Sequence, residues 1–443
     1  MVATPKDTYL AGFAALERAG TAAPAWLHRI RRSAIDRFAE IGFPTVRLED
    51  WKYTNVAAIA AIAFPPVLAE APAGPGAEAL EPFAFATPGP RLVFVNGRYS
   101  AKLSSPASPP SGVRVTSLAE ALVTDAAAVE RHLARHGDWA RNGFTALSAA
   151  FAQDGAFVHL APGTRVEEPI HLLFVAAVPA APVLSQPRNL VVAERESRAT
   201  IVEHYVAVGD DTYLTNAVTE VVAGEGAIVE HYRVQQESRR GFHVGTTEVR
   251  QARDSRFTSG SVSLGGRLAR HDLNVRFDAE GASCELDGLY VVGDRQHVDN
   301  HTLIDHARPR CTSRQLYKGV LDGASRAVFN GRVIVRPDAQ RTDAHQTNKN
   351  LLLSESAEVD TKPQLEIFAD DVKCTHGAAV GRLGEDAVFY LRSRGLGETA
   401  ARTLLTYGFV SDVLARIAVE PLRARLDALL MARLRDARAK ETR

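Results

Sequence analysis

The chain is 443 residues long, and its 52 Lys plus Arg balance its 52 Asp plus Glu. No net field therefore draws it to nucleic acid or to an anionic membrane, and the length predicts a large core with more than one structural unit. Three scattered cysteines, Cys284, Cys311 and Cys374, exclude a disulfide framework and read as reduced thiols of a cytosolic protein.

The opening residues lack a basic-then-apolar leader. The most apolar stretch, residues 172–184, is short and is broken by Pro179 and Pro182, so it cannot span a bilayer. Up to about residue 62, apolar residues recur at helical spacing. Trp26, Leu27, Ile30 and Phe38 would line one face of a helix that opens near Pro24. Residues 69–76 read as an Ala/Pro/Gly linker, and residues 105–112 as a second break. A helical segment is expected over 117–151, with Leu118, Leu122, Val129 and Leu133 as its stripe. Residues 1–150 thus form an N-terminal helical domain with Pro/Ala-rich linkers.

Over 151–381 the period shifts to two. Short runs such as Phe157-Val158-His159-Leu160, Leu190-Val191-Val192 and Val333-Ile334-Val335 alternate with Gly, Asp and Ser turns. No helix-period segment separates them, which excludes a βαβ arrangement and leaves an all-β solenoid, sandwich or barrel. Ile201-Val202-Glu203-His204-Tyr205 recurs as Ile228-Val229-Glu230-His231-Tyr232, and turn-then-strand units recur downstream. A stacked unit of this size favours a β-helix, with His204 and His231 expected one above the other for structural reasons.

Residues 382–443 return to helical period. Leu405, Phe409, Val413 and Ile417 form one stripe, and Leu422, Leu426, Leu430 and Leu434 form another after Pro421, outlining an antiparallel helix pair. These stripes would pack on the β-helix, cap its end, or dock a partner, with self-packing the default.

No P-loop, G-x-S-x-G elbow, HExxH or CxxC motif is present, so no nucleotide is expected through a P-loop and no catalytic residue is assigned. On a strand, Cys374 and His376 share a face about 6–7 Å apart, and a thiolate with an imidazole suits iron or an iron–sulfur cluster. A buried Cys beside a hydrogen-bonded His is the plainer alternative. Lys373 nearby would lower the thiol pKa if it reached it. Two ligands cannot close a four-ligand cluster site, so another chain would supply the rest. His297-Val298-Asp299-Asn300-His301 places two His and one carboxylate on one strand face. The outer pair lies about 13 Å apart, so a polar ladder fits better than a mononuclear ion site.

Several spaced motifs carry a resemblance. They are Asn350-Leu351-Leu352-Leu353-Ser354, Pro363-Gln364-Leu365-Glu366-Ile367, Val372-Lys373-Cys374-Thr375-His376-Gly377 and Phe389-Tyr390-Leu391-Arg392-Ser393-Arg394-Gly395. Upstream, Asn300-His301-Thr302, Gln315-Leu316-Tyr317-Lys318-Gly319 and Glu49-Asp50-Trp51-Lys52-Tyr53-Thr54 extend it over most of the chain. The chain resembles the SufB/SufD family of iron–sulfur cluster assembly scaffold proteins. With no cysteine before Cys284, it is similar to the SufD branch.

The resemblance implies a right-handed parallel β-helix flanked by helical N- and C-terminal domains. It implies a complex with SufB and the ATPase SufC, and a transient iron–sulfur cluster shared with SufB. His376 would be a ligand there, with Cys374 beside it. It also implies SufC docking on the C-terminal domain, expected at Leu405, Phe409, Val413 and Leu414. The alternatives are a metal-free β-helix homodimer and a polysaccharide-acting β-helix enzyme.

Overall fold

The computed structural model describes residues 5–20, 23–68, 74–85, 87–105, 110–177 and 182–441, with side chains to residue 435. Parts of three expected features, residues 69–73 of the linker, 106–109 of the second break and 178–181 of the apolar stretch, lie outside the described residues. No described helix is long and apolar enough to cross a membrane.

Residues 156–381 wind as a parallel β-helix. From Arg188–Ala193 onward, successive strands fall alternately in two ten-stranded sheets, and each strand pairs with the next-but-one along the chain. Alternation then decides burial. In Ile228–Gln236, Val229 points between the sheets into the main core with Ile201, Phe257 and Leu286, while Tyr232 and Val234 point outward under helices.

The identical pentapeptides do not stack. His231 pairs with Ile201, and His204 with Val234, so the two copies lie three residues out of register. An odd offset turns them to opposite faces. His231 lies inside against Glu203, whereas His204 lies outside beside His171 and Phe85.

The N-terminal part is less helical than its composition suggests. The helix expected from Pro24 is present as Ala25–Ile41, with Trp26, Leu27 and Phe38 buried. Arg91–Val95 and Arg98–Tyr99, however, join one sheet, and Val113–Ser117 joins the other. Among the described strand pairs only two are antiparallel, and both close this end of the solenoid.

The segment expected as one helix over 117–151 is three short ones: Leu118–Thr124, Ala126–His132 and Gly143–Ala150. Its break has a tertiary cause. The buried Glu220 carboxylate accepts the backbone N–H groups of Ala134, Arg135 and His136 at 2.7, 3.1 and 3.0 Å, and Ala134 takes a φ of 59°. Those donors are thereby taken from any helix.

Helices cover sheet faces and not solenoid ends. The N-terminal helices pack through Phe38, Trp51 and Phe144 on Leu214, Phe242 and Val244 of one sheet, here the N sheet. Glu398–Leu414 and Glu420–Glu441 pack through Val410, Val413, Leu422, Leu426 and Leu430 on Val202, Val234, Val262 and Val320 of the other, the C sheet. A short helix, Glu385–Ser393, leads into this pair.

Candidate functional site

The end of the solenoid is open. The last strand of the N sheet, Glu358–Ile367, and the last of the C sheet, Lys373–Gly381, each pair on one side only among the described residues. Their outer edges leave backbone donors and acceptors free to template another chain. Phe368, 61% exposed, and Val380, 48% exposed, add apolar surface there.

Cys374 and His376 stand on this last strand. Cys374 pairs with the core residue Ala344 and packs half-buried on the interior, while His376 pairs with Gln346 and is exposed. Sharing one strand parity, they lie about 6–7 Å apart. Below His376, Gln346 donates to Gln315 at 2.7 Å, and Gln315 donates to Thr302 at 2.7 Å, so a polar column runs inward from the open end.

Burial raises the Cys374 thiol pKa, and Asp343 adds to that shift. Lys373 sits on the opposite face of the strand and is exposed, as side-chain alternation requires, and so does not reach the thiol. Among the described residues no three His, Cys, Asp or Glu side chains are grouped to hold a metal ion. Cys284 and Cys311 are buried in earlier coils, where burial pushes Cys311 up to about 11 and Cys284 higher still.

The residues expected to dock a partner divide by burial. Val413 and Leu414 are buried against the C sheet, and Leu405 and Phe409 are half-buried. Phe409 is also tied to Lys318, whose ammonium donates to the Phe409 carbonyl at 2.8 Å, sits 4.8 Å from its ring centroid, and pairs with Asp412 at 2.8 Å. The open apolar surface of this domain lies elsewhere, at Phe389 (72% exposed), Tyr390 (57%) and Leu404 (48%). A signal for it was present in the sequence. Residues advance about 100° around a helix, so Val388 turned inward leaves Phe389 and Tyr390 facing out.

Two motifs meet on the N sheet, two strands in from this end. Thr54 donates to Asp299 and bonds the His297 ring at 2.9 Å; Arg270 spans Asp299 and Asp272 at 2.7 Å each and donates to the Asp50 carbonyl. The Arg270 guanidinium lies 3.7 Å from the Trp51 ring centroid, and the His301 ring lies 3.0 Å from the Asp299 carboxylate. The His297-to-His301 segment is thus a polar ladder that clamps the Trp51-Lys52-Tyr53-Thr54 segment to the N sheet.

A family model described as SUF system FeS cluster assembly, SufBD core domain, matches residues 175–409, and one for the SufBD protein N-terminal region matches residues 6–172. The chain is 36% identical over 405 residues to an iron–sulfur cluster assembly SufBD family protein of Synechocystis sp., covering 89% of this chain and 88% of the relative. It is 30% identical over 409 residues to the iron–sulfur cluster assembly protein SufD of Escherichia coli, covering 90% and 91%. SufD of Bacillus subtilis is 29% identical over 291 residues, or 65% of each chain.

Proposed function

The chain belongs to the SufBD family of iron–sulfur cluster assembly proteins, and on that premise we propose that it is a SufD-type scaffold subunit of a cytoplasmic complex with SufB and the ATPase SufC. The nascent cluster is the cargo of this complex, formed where the open solenoid end meets SufB. His376 supplies an imidazole ligand to it, and Cys374 stands beside that ligand. ATP hydrolysis resides in SufC, which the C-terminal helices hold through the surface around Phe389, Tyr390 and Leu404.

One observation carries the reading: His376 is exposed on an edge strand with no partner strand beyond it among the described residues. A ligand there can be reached by a second subunit, and two donors alone cannot complete a cluster's coordination. The half-buried Cys374 thiol must lose its proton to act as a ligand, so metal delivery and proton release would be coupled at this strand.

Co-expression with SufB and SufC tests it. The expected result is a stable ternary complex that loses bound iron and sulfide in the His376→Ala form while remaining assembled. Unchanged iron and sulfide in that variant would remove the ligand role. Recovery only of a homodimer that ignores SufB would favour a metal-free architectural role.

A further inference from the structure

The structure carries a second concave site, which does not depend on the cluster role. Between the Trp51-to-Asn55 segment and the N sheet lies a cleft of about 280 Å³, lined by Lys52, Tyr53, Arg267, Arg295, His297 and Arg326 among others. The solenoid builds it by stacking. Arg267 precedes Leu268, Arg295 precedes His297, and Leu268, His297 and Arg326 are register partners on three successive strands of one sheet. Strand spacing of about 4.8 Å therefore brings three guanidinium groups to one edge.

Like charges gathered this way repel unless something compensates them. Elsewhere the outer surface supplies a carboxylate from a neighbouring coil, as in Arg250 with Asp278, Arg314 with Asp343 and Arg332 with Glu366. Here only Arg326 has one, Asp360 at 2.7 Å. Among the described residues no carboxylate lies within ion-pair distance of Lys52, Arg267 or Arg295, and Glu49 pairs with Lys362 instead. The buried Trp51–Arg270 and Thr54–Asp299 contacts hold Lys52 in place on the opposite wall.

We infer that this cleft binds the phosphate or pyrophosphate group of a small molecule. Three arginines and a lysine offer planar and point-charge donors suited to phosphoryl oxygens. Its volume falls at the small end of ligand pockets, enough for such a group with little else enclosed. The site differs in kind from a P-loop, since its charge comes from side chains on stacked strands and not from a helix N-terminus.

Calorimetric titration of the full chain with inorganic pyrophosphate, at constant ionic strength, tests the inference. Saturable one-to-one binding is expected, weakened at least about tenfold in the Arg267→Ala, Arg295→Ala double variant. Both side chains are exposed, so the fold should persist, and circular dichroism checks it. A control that removes the exposed Arg195 and Arg308 should bind as the parent does. Stronger binding of pyrophosphate than of orthophosphate would assign a diphosphate-bearing ligand, and equal binding a single phosphoryl group. Absence of saturable binding, binding indifferent to the double variant, or binding of a glutamate-rich peptide in place of pyrophosphate would overturn it.

Discussion

Thr54 donates its hydroxyl hydrogen to the Asp299 carboxylate across 2.6 Å, joining the N-terminal segment to the third strand from the open end of the N sheet. Asp299 is buried and also receives Arg270 and His301, so it is the node of the clamp. Replacing it with Ala leaves the buried Arg270 guanidinium with Asp272 as its one remaining carboxylate. Breaking such a pair from one side costs about 3–5 kcal/mol. Thr54→Val removes one bond to the same carboxylate and the contact with the His297 ring, and should cost about 1–3 kcal/mol. Urea unfolding at neutral pH should rank the two in that order. Equal stability of Asp299→Ala and the parent would mean that the clamp does not hold the domain.

A second anchor is Glu220, which pairs with Arg188 at 2.8 Å and accepts three backbone N–H groups, both side chains being buried. Glu220→Gln keeps the shape but removes the charge and one of the two acceptor oxygens. A loss of about 3–5 kcal/mol is expected, with earlier proteolytic cleavage around residues 133–138 than in the parent. A variant cut no faster there would show that the loop is held by its own packing.

Much of this architecture is legible in the sequence, and the reasons for the rest are physical. Strand alternation over 155–381 writes itself into composition because one face of every strand is buried. Stacking phase does not: the pentapeptides at Ile201 and Ile228 are 27 residues apart, whereas the pairing offset is 30, since turns of unequal length change the count without changing the ladder. Within the strand Arg91–Val95, Leu92 to Val95 form a short continuous apolar run, which periodicity cannot assign to strand or helix. His376 is legible from its motif. Its exposure is not, because that depends on the coil ending there. Phe389 and Tyr390 follow Val388 on one short helix, and helical spacing turns them outward once Val388 is buried.

Buried neutral histidines predict an acid limit to stability. Burial lowers His204 from 6.5 to about 4 and His306 to about 3, and both side chains are almost fully enclosed. Above pH 6.5 neither state binds the proton. Between 6.5 and the lowered value the unfolded chain binds it and the native chain does not, so stability falls as pH falls through that window. Each such group removes up to about 2 kcal/mol by pH 5. His204→Gln can keep a bond to Gln236, which the histidine ring now meets at 2.7 Å. Its unfolding free energy should drop less than the parent's between pH 6.5 and 5. Parallel curves would assign the acid loss to other groups.

The C-terminal domain allows packing and docking to be separated, because the two use different residues. Phe389 and Tyr390 are exposed and touch no buried cluster, so Phe389→Asp with Tyr390→Asp should leave the melting temperature within about 2 °C of the parent. If this surface holds SufC, the double variant should fail to retain it on co-purification while still pairing with SufB. Val413→Asp places a charge against the C sheet, next to Val410 and Leu414, and should unfold the helix pair at a cost of several kcal/mol. Loss of SufC in Val413→Asp therefore says nothing about contact, whereas loss in the surface variant with an unchanged melt does. Full SufC retention by the surface variant would move the docking site away from Phe389 and Tyr390, leaving the half-buried Leu405 as the next residue of this domain to test.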